Sequence, residues 1–135
     1  MMGTQYTPTL ALIEDDGPMR TFLTLNLGAK YNMQRYKSVE DFLEHRRERS
    51  NPDLIVSDFH MDELTAIDLI RHIRLVSDIA HTPILIISGD DDPSWRTQCL
   101  EAGANDCVSK PFDPIEISLR VKRLLDSENT TAVTL

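Results

Sequence analysis

The sequence predicts one α/β domain in which five parallel strands alternate with five helices, (βα)5, stacked as helix, sheet, helix. Three observations predict it. Short β-rich apolar runs alternate with helical patterns along the whole chain. Two of those runs, "DLIVS" (53–57) and "PILIIS" (83–88), are apolar without alternation, as strands covered on both faces are. Acids cluster directly after several apolar runs, which is where an open α/β sheet gathers its ligands. At 135 residues the chain is long enough for one domain with a proper core.

The elements follow in order. "TLALI" (9–13) is the first strand, after an extension over 1–8. Met19, Phe22, Leu23 and Leu27 recur at helical spacing, with Pro18 suited to a first turn and Gly28 to a stop. "NMQRY" (32–36) alternates weakly, as an edge strand does. Ser38 is placed to cap a helix from Val39 to about Glu48, with Val39, Phe42 and Leu43 inward. After 53–57, a helix is expected from Ala66 to about Ser77, its broad apolar side carrying Ile67, Leu69, Ile70, Ile73 and Val76. After 83–88, a helix from Pro93 or Ser94 to Ala102 stops at Gly103. "DCVS" (106–109) is the fifth strand, and Pro114 opens a last helix with Ile117, Val121, Leu124 and Leu125 inward. Segment 127–135 lacks periodicity and reads as a fraying tail or the start of a linker, leaving 9–126 as the domain. Parallel neighbours need right-handed helical crossovers, so helices cover both sheet faces.

Net charge is −8, from 22 acids against 14 bases. Such a surface repels phosphate backbones and anionic lipid, which excludes direct nucleic-acid binding by this domain and favours a cation. No run approaches a membrane span, and the start "MMGTQYTPTLAL" lacks a basic stretch leading into an apolar one. Cys99 and Cys107 follow no metal or disulfide spacing and read as reduced thiols, so a cytoplasmic location is expected.

The strand ends carry distinct chemistry. Glu14-Asp15-Asp16 follows the first strand, Asp58 the third, Ser88 and then Asp90-Asp91-Asp92 the fourth, and Lys110-Pro111 the fifth. If Glu14, Asp15 and Asp58 converge, their mutual repulsion is relieved by a cation, and an oxygen-only ligand set suits magnesium. A carboxylate beside a divalent ion suggests phosphoryl transfer, with Asp58 attacking phosphorus. Lys110 and a Ser88 hydroxyl would then serve the phosphoryl oxygens.

With "LIEDDGPMR", "PDLIVSDFHM", "PILIISG" and "EAGANDCVSKPFDP" in order and at the expected spacing, the chain resembles the receiver domain of bacterial two-component response regulators from about Leu10 to Leu125. The resemblance implies a flavodoxin-like sheet of order 2-1-3-4-5. It implies that Asp58 accepts the phosphoryl group, and that Glu14 and Asp15 are the metal-binding pair for Mg2+ or Mn2+. Asp58 and the His60 backbone carbonyl join them, Asp15 being a direct ligand. Ser88 and Lys110 contact the phosphoryl group, and Lys110-Pro111 is a cis peptide. Gly89 leaves that group a way in, while His60 and Asp90 tune autodephosphorylation. A sensor histidine kinase or phosphotransfer protein is the expected donor. The expected output is a further domain or partner protein, reached through the fourth helix, fifth strand and fifth helix, with homodimerisation on phosphorylation as a further option. The chain departs from the family in two places. "MDELTA" (61–66) replaces a loop usually holding Pro and Gly, and Cys107 stands at the usual aromatic switch position.

Plainer readings exist for each residue. The 14–16 acids suit a solvated turn and helix start, Asp58 a cap, Lys110 a surface site, Ser88 a turn and Asp90-Asp91-Asp92 a capping loop. His45, His72 and His81 read as surface residues, and Trp95 as packing at the start of the fourth helix. Three other functions compete with the receiver. A haloacid-dehalogenase-type phosphatase needs a second Asp two residues after its nucleophile, where this chain has His60. A flavodoxin-like cofactor binder needs a phosphate-cradling first loop, where this chain has "EDDGP". A degenerate receiver acting as a phosphorylation-independent interaction module would not need Asp58, Lys110 and the acid pair together. The receiver is expected to act as a phosphoacceptor switch rather than a turnover enzyme, either standing alone or heading a longer chain.

Overall fold

The computed structural model describes residues 6–133 apart from 62, 77 and 90, with side chains described as far as 127. Its strands are β1 (Thr9–Ile13), β2 (Asn32–Tyr36), β3 (Leu54–Asp58), β4 (Ile84–Ser88) and β5 (Asp106–Ser109). The helices between and after them are α1 (Gly17–Gly28), α2 (Val39–His45), α3 (Ala66–Leu75), α4 (Ser94–Ala102) and α5 (Pro114–Val133). All strands are parallel in the order β2-β1-β3-β4-β5.

Strand alternation divides the core into two layers. Ala11, Ile13, Ile55, Ile84, Ile86 and Cys107 face the layer of α2, α3 and α4. Leu10, Leu12, Leu54, Val56, Leu85, Ile87 and Val108 face α1 and α5. The central strands are therefore apolar on every residue until they reach their carboxyl ends. Those ends lie at one edge of the sandwich, and there the polar residues begin.

The boundaries that differ most from the sequence expectation have local causes. The second helix stops at His45 and gives way to a 3-10 turn, Arg46–Glu48. Arg46 turns inward there, 4% exposed, and its guanidinium donates two bonds to the Asp78 carboxylate at 3.1 and 3.2 Å. The third helix ends at Leu75, because Val76 is already extended at φ −91°, ψ 124°. The third strand runs one residue further than expected, so Asp58 is its last residue. The fifth helix continues to Val133 through most of the segment read as a tail, since nothing after Pro114 breaks a helix. Gly103 stops α4 at φ 121°, a backbone angle that favours glycine. No helix among the described residues is long and apolar enough to cross a membrane.

Candidate functional site

β1 and β3 are neighbours, with Ile13 paired to Ser57, so the residues that follow them emerge side by side. Glu14, Asp15 and Asp58 each bring a carboxylate oxygen within 4.8 Å of one another. Glu14 is nearly inaccessible at 1% and Asp58 is 8% exposed, while Asp15 lies open to solvent. The backbone of Glu14 is fixed from both sides. Its N–H donates to the Tyr36 carbonyl at 3.1 Å, and its carbonyl accepts from Arg20 Nη1 at 2.7 Å. Asp16, the third acid of the run, has a local duty: its carboxylate accepts from Met19 N at 2.8 Å and caps α1.

Lys110 reaches this cluster from the far side of β4. Its ammonium lies 3.1 Å from Asp58 Oδ1 and 3.8 Å from Glu14 Oε1. β4 and β5 hold the base of that side chain through the Ser88–Ser109 pairing and the bond from Lys110 N to the Ser88 carbonyl at 2.8 Å. The Lys110–Pro111 peptide is cis. The lysine stem crosses over Gly89, where an added Cβ would meet Lys110 Cβ at 3.5 Å and Cδ at 3.7 Å.

The electrostatics of the pocket follow from burial. Loss of water, and then the Asp58 charge, push the Glu14 carboxyl up from 4.5 to about 7, against the pull of Lys110. Burial also raises Asp58, opposed by its hydrogen bond to Lys110. Burial disfavours the Lys110 ammonium, yet the Asp58 bond and the surrounding acids outweigh it and hold the group above its usual range. Carboxylates stripped of water beside one ammonium form an excess-negative, oxygen-only donor set, which a hard divalent cation fits.

Ser88 is fully buried at the end of β4, one residue beyond the Ile87 that pairs with Asp58. His60 is exposed, with its ring edge-on to Phe59 at 4.8 Å between centroids. Asp90 lies outside the described residues. Asp92 accepts from Ser94 N at 3.0 Å, as a capping loop does. Cys107 is buried on the α4 side of β5, away from the acids. His45, His72 and His81 are exposed, and Trp95 is buried against Phe59. Sequence reasoning gave Arg20 no role. The signal available was a base six residues after Glu14, within the "EDDGPMR" run. Lys37 and Glu63 also escaped it; with Asp15, Ser38, Glu40 and Met61 they line an open cleft of about 310 Å³.

Comparison with known proteins agrees with this architecture. A rice (Oryza sativa subsp. japonica) protein, two-component response regulator ORR7, is 32% identical over 84% of this chain and 54% of its own length. The phosphate regulon transcriptional regulatory protein PhoB of Rhizobium meliloti is 30% identical over 87% of this chain and 52% of its own. The chain thus spans about half the length of these two relatives, and only 9% of histidine kinase P4 of Formosa agariphila, to which it is 29% identical over 88% of its residues. Among solved structures, the signal receiver domain of a signal transduction histidine kinase from Syntrophus aciditrophicus superposes with a TM-score of 0.81. It has 25% identity and covers 90% of this chain and 92% of that one. Chemotaxis response regulator CheY4 of Vibrio cholerae shares the fold at a TM-score of 0.80, with 22% identity over 88% of this chain and 99% of its own. The response regulator receiver domain model matches residues 10–122, and the chain belongs to that family of two-component signalling proteins.

Proposed function

We propose that Asp58 accepts a phosphoryl group from a histidine kinase, a phosphotransfer protein or a small acyl phosphate. The observation that carries this is the Lys110 ammonium 3.1 Å from Asp58 Oδ1, inside a cluster whose three carboxylates lie within 4.8 Å of one another. Glu14, Asp15, Asp58 and the His60 carbonyl would hold Mg2+ or Mn2+, which supplies charge neutralisation for the incoming phosphoryl oxygens. An Asp58 oxygen attacks phosphorus, the P–N bond of a phosphohistidine donor or the P–O bond of a small acyl phosphate breaks, and an acyl phosphate forms on the aspartate. Lys110 then exchanges its ion pair with the carboxylate for one with a phosphoryl oxygen, and Ser88 donates its hydroxyl to another. Gly89 and His60 border the path by which water later removes the group, and Asp90 is assigned a role in tuning that step. Such a cycle is that of a switch rather than a turnover enzyme.

The output is relayed to a further domain or a partner protein, a second copy included, through α4, β5 and α5. Those helices carry exposed Leu100, Ile115 and Leu119. Moving a two-state equilibrium from 1:99 to 99:1 takes about 5.5 kcal/mol of differential stabilisation, which a new dianion on Asp58 must supply. The test is intact-mass spectrometry after incubation with acetyl phosphate and magnesium. One phosphoryl group is expected, lost in Asp58→Asn. An unmodified wild-type chain, or equal labelling of the variant, overturns the reading.

A further inference from the structure

The sheet edge opposite Lys110 carries a pocket of the other charge. β2 pairs on one side only, with β1, and along its open edge Arg20, Met33, Gln34, Arg35 and Arg49 line a cleft of about 490 Å³. Three of those five residues are arginines and none is an acid, on a chain with 22 acids against 14 bases. None of the three guanidiniums forms an ion pair among the described residues.

Each arginine comes from a different element, and two are held in place. Arg20, half-buried near the start of α1, donates Nη1 to the Glu14 carbonyl at 2.7 Å, which leaves its other N–H groups to a ligand. Arg49 follows the 3-10 turn that Arg46 anchors, and its guanidinium lies over the Tyr36 ring, 4.9 Å from the centroid. Arg35 is exposed on β2, opposite Leu12, and so stands on the α1 side of the strand. Tyr36 faces the α2 layer, so the cleft wraps round the strand edge from one layer to the other. The backbone adds donors. Asn32 N donates to the Pro8 carbonyl at 3.0 Å and the Tyr36 carbonyl accepts from Glu14 N at 3.1 Å. Alternate residues therefore bond inward to β1, and the N–H groups of Met33 and Arg35 point out from the sheet edge.

We propose that Arg20, Arg35 and Arg49 form an anion site for a compact oligophosphate, taken either free or as the phosphate chain of a nucleotide. Guanidiniums gathered without an acid repel one another, and an anion relieves that repulsion. Their planar forks match phosphoryl oxygens two at a time. Arginines already held by Glu14 and Tyr36 lower the ordering cost of binding. Three cations on three elements suit a ligand with several charges. Met33 is the one apolar side chain of the lining and no aromatic ring lines it, so the phosphates rather than a base are what the pocket reads. The chain's net charge of −8 favours a short anion over a long nucleic acid. Nothing in this site depends on phosphoryl transfer at Asp58.

The test titrates tripolyphosphate into the full chain by calorimetry, in EDTA and without divalent ion, at low and at physiological salt. One ligand per chain is expected, with affinity falling as salt rises. Arg35→Ala should weaken binding by about tenfold or more and leave unfolding in urea as in wild type. Lys110→Ala, at the opposite edge, should bind as wild type does. ATP should bind as tightly as tripolyphosphate, and adenosine should not bind. If the wild type shows no saturable binding, the three arginines are only solvated surface groups and the proposal falls. Binding lost in Lys110→Ala but kept in Arg35→Ala would place the anion in the acidic pocket and overturn the site. Binding of adenosine would overturn the ligand class.

Discussion

Helices α3 and α4 follow adjacent strands that end beside the acidic pocket, yet they are held very differently. α3 begins with a reciprocal cap, in which Thr65 N donates to Asp68 Oδ2 at 3.0 Å, and buries Ala66, Leu69, Ile70 and Ile73. Its last turn carries Arg74, whose guanidinium satisfies the carbonyls of Ala80, Thr82 and Gly103 at 2.6 to 3.1 Å. α4, nearly as long, buries Trp95 and Cys99. The difference teaches where motion is affordable. The half of the sheet that presents Asp58 is pinned from both ends of its helix, while α4 rests on fewer buried side chains and is the readier of the two to shift.

The largest expected effect therefore falls on α3. Ile70→Ala removes a fully buried side chain between two well-held ends and should cost about 2–5 kcal/mol in urea denaturation. Leu100→Ala on α4, at a side chain 52% exposed, should change stability by less than about 0.5 kcal/mol. Equal losses at both sites would break the comparison.

A cation should sharpen the same contrast, and the pH dependence fixes its sign. Folding raises the Glu14 carboxyl from 4.5 to about 7, so its stabilising contribution is full below pH 4.5 and is lost as pH rises through about 7. At about 1.4 kcal/mol per pH unit, the ceiling on that loss is about 3 kcal/mol. A divalent ion compensates the ionised cluster, so magnesium should raise the melting temperature clearly at pH 8 and little at pH 5. It should also slow amide exchange in the loops after β1 and β3, and leave α4 as it was. An equal gain at both pH values would show that the ion binds away from Glu14.

Much of this was legible from the amino acids, for identifiable reasons. Short, β-branched apolar runs bounded by turn residues suit doubly covered strands, so β3 and β4 were readable, and in a parallel sheet polar residues at their ends share one edge. The convergence of Glu14, Asp15 and Asp58 was open to a reading in which the first and third strands are neighbours, whereas the place of Lys110 came from the family resemblance. Tertiary contacts were less accessible. The end of α2 depends on Arg46 finding Asp78, a partner 32 residues away. Arg20 acts through a backbone carbonyl, which leaves no complementary residue to spot.

The smallest expected effect lies at Gly89, on the loop leading into α4. A methyl there would rest at ordinary contact distance on the Lys110 stem, 3.5 Å from its Cβ, so nothing in the fold has to move. Gly89→Ala should leave the unfolding free energy measured in urea within about 0.5 kcal/mol of wild type. On the proposed function the phosphodonor reaches Asp58 past Gly89, so labelling by acetyl phosphate should slow while the final extent stays the same. An unchanged rate would mean that the donor approaches from the Asp15 side, over the cleft of Lys37 and Glu63, and would move the entry route to the pinned half of the molecule.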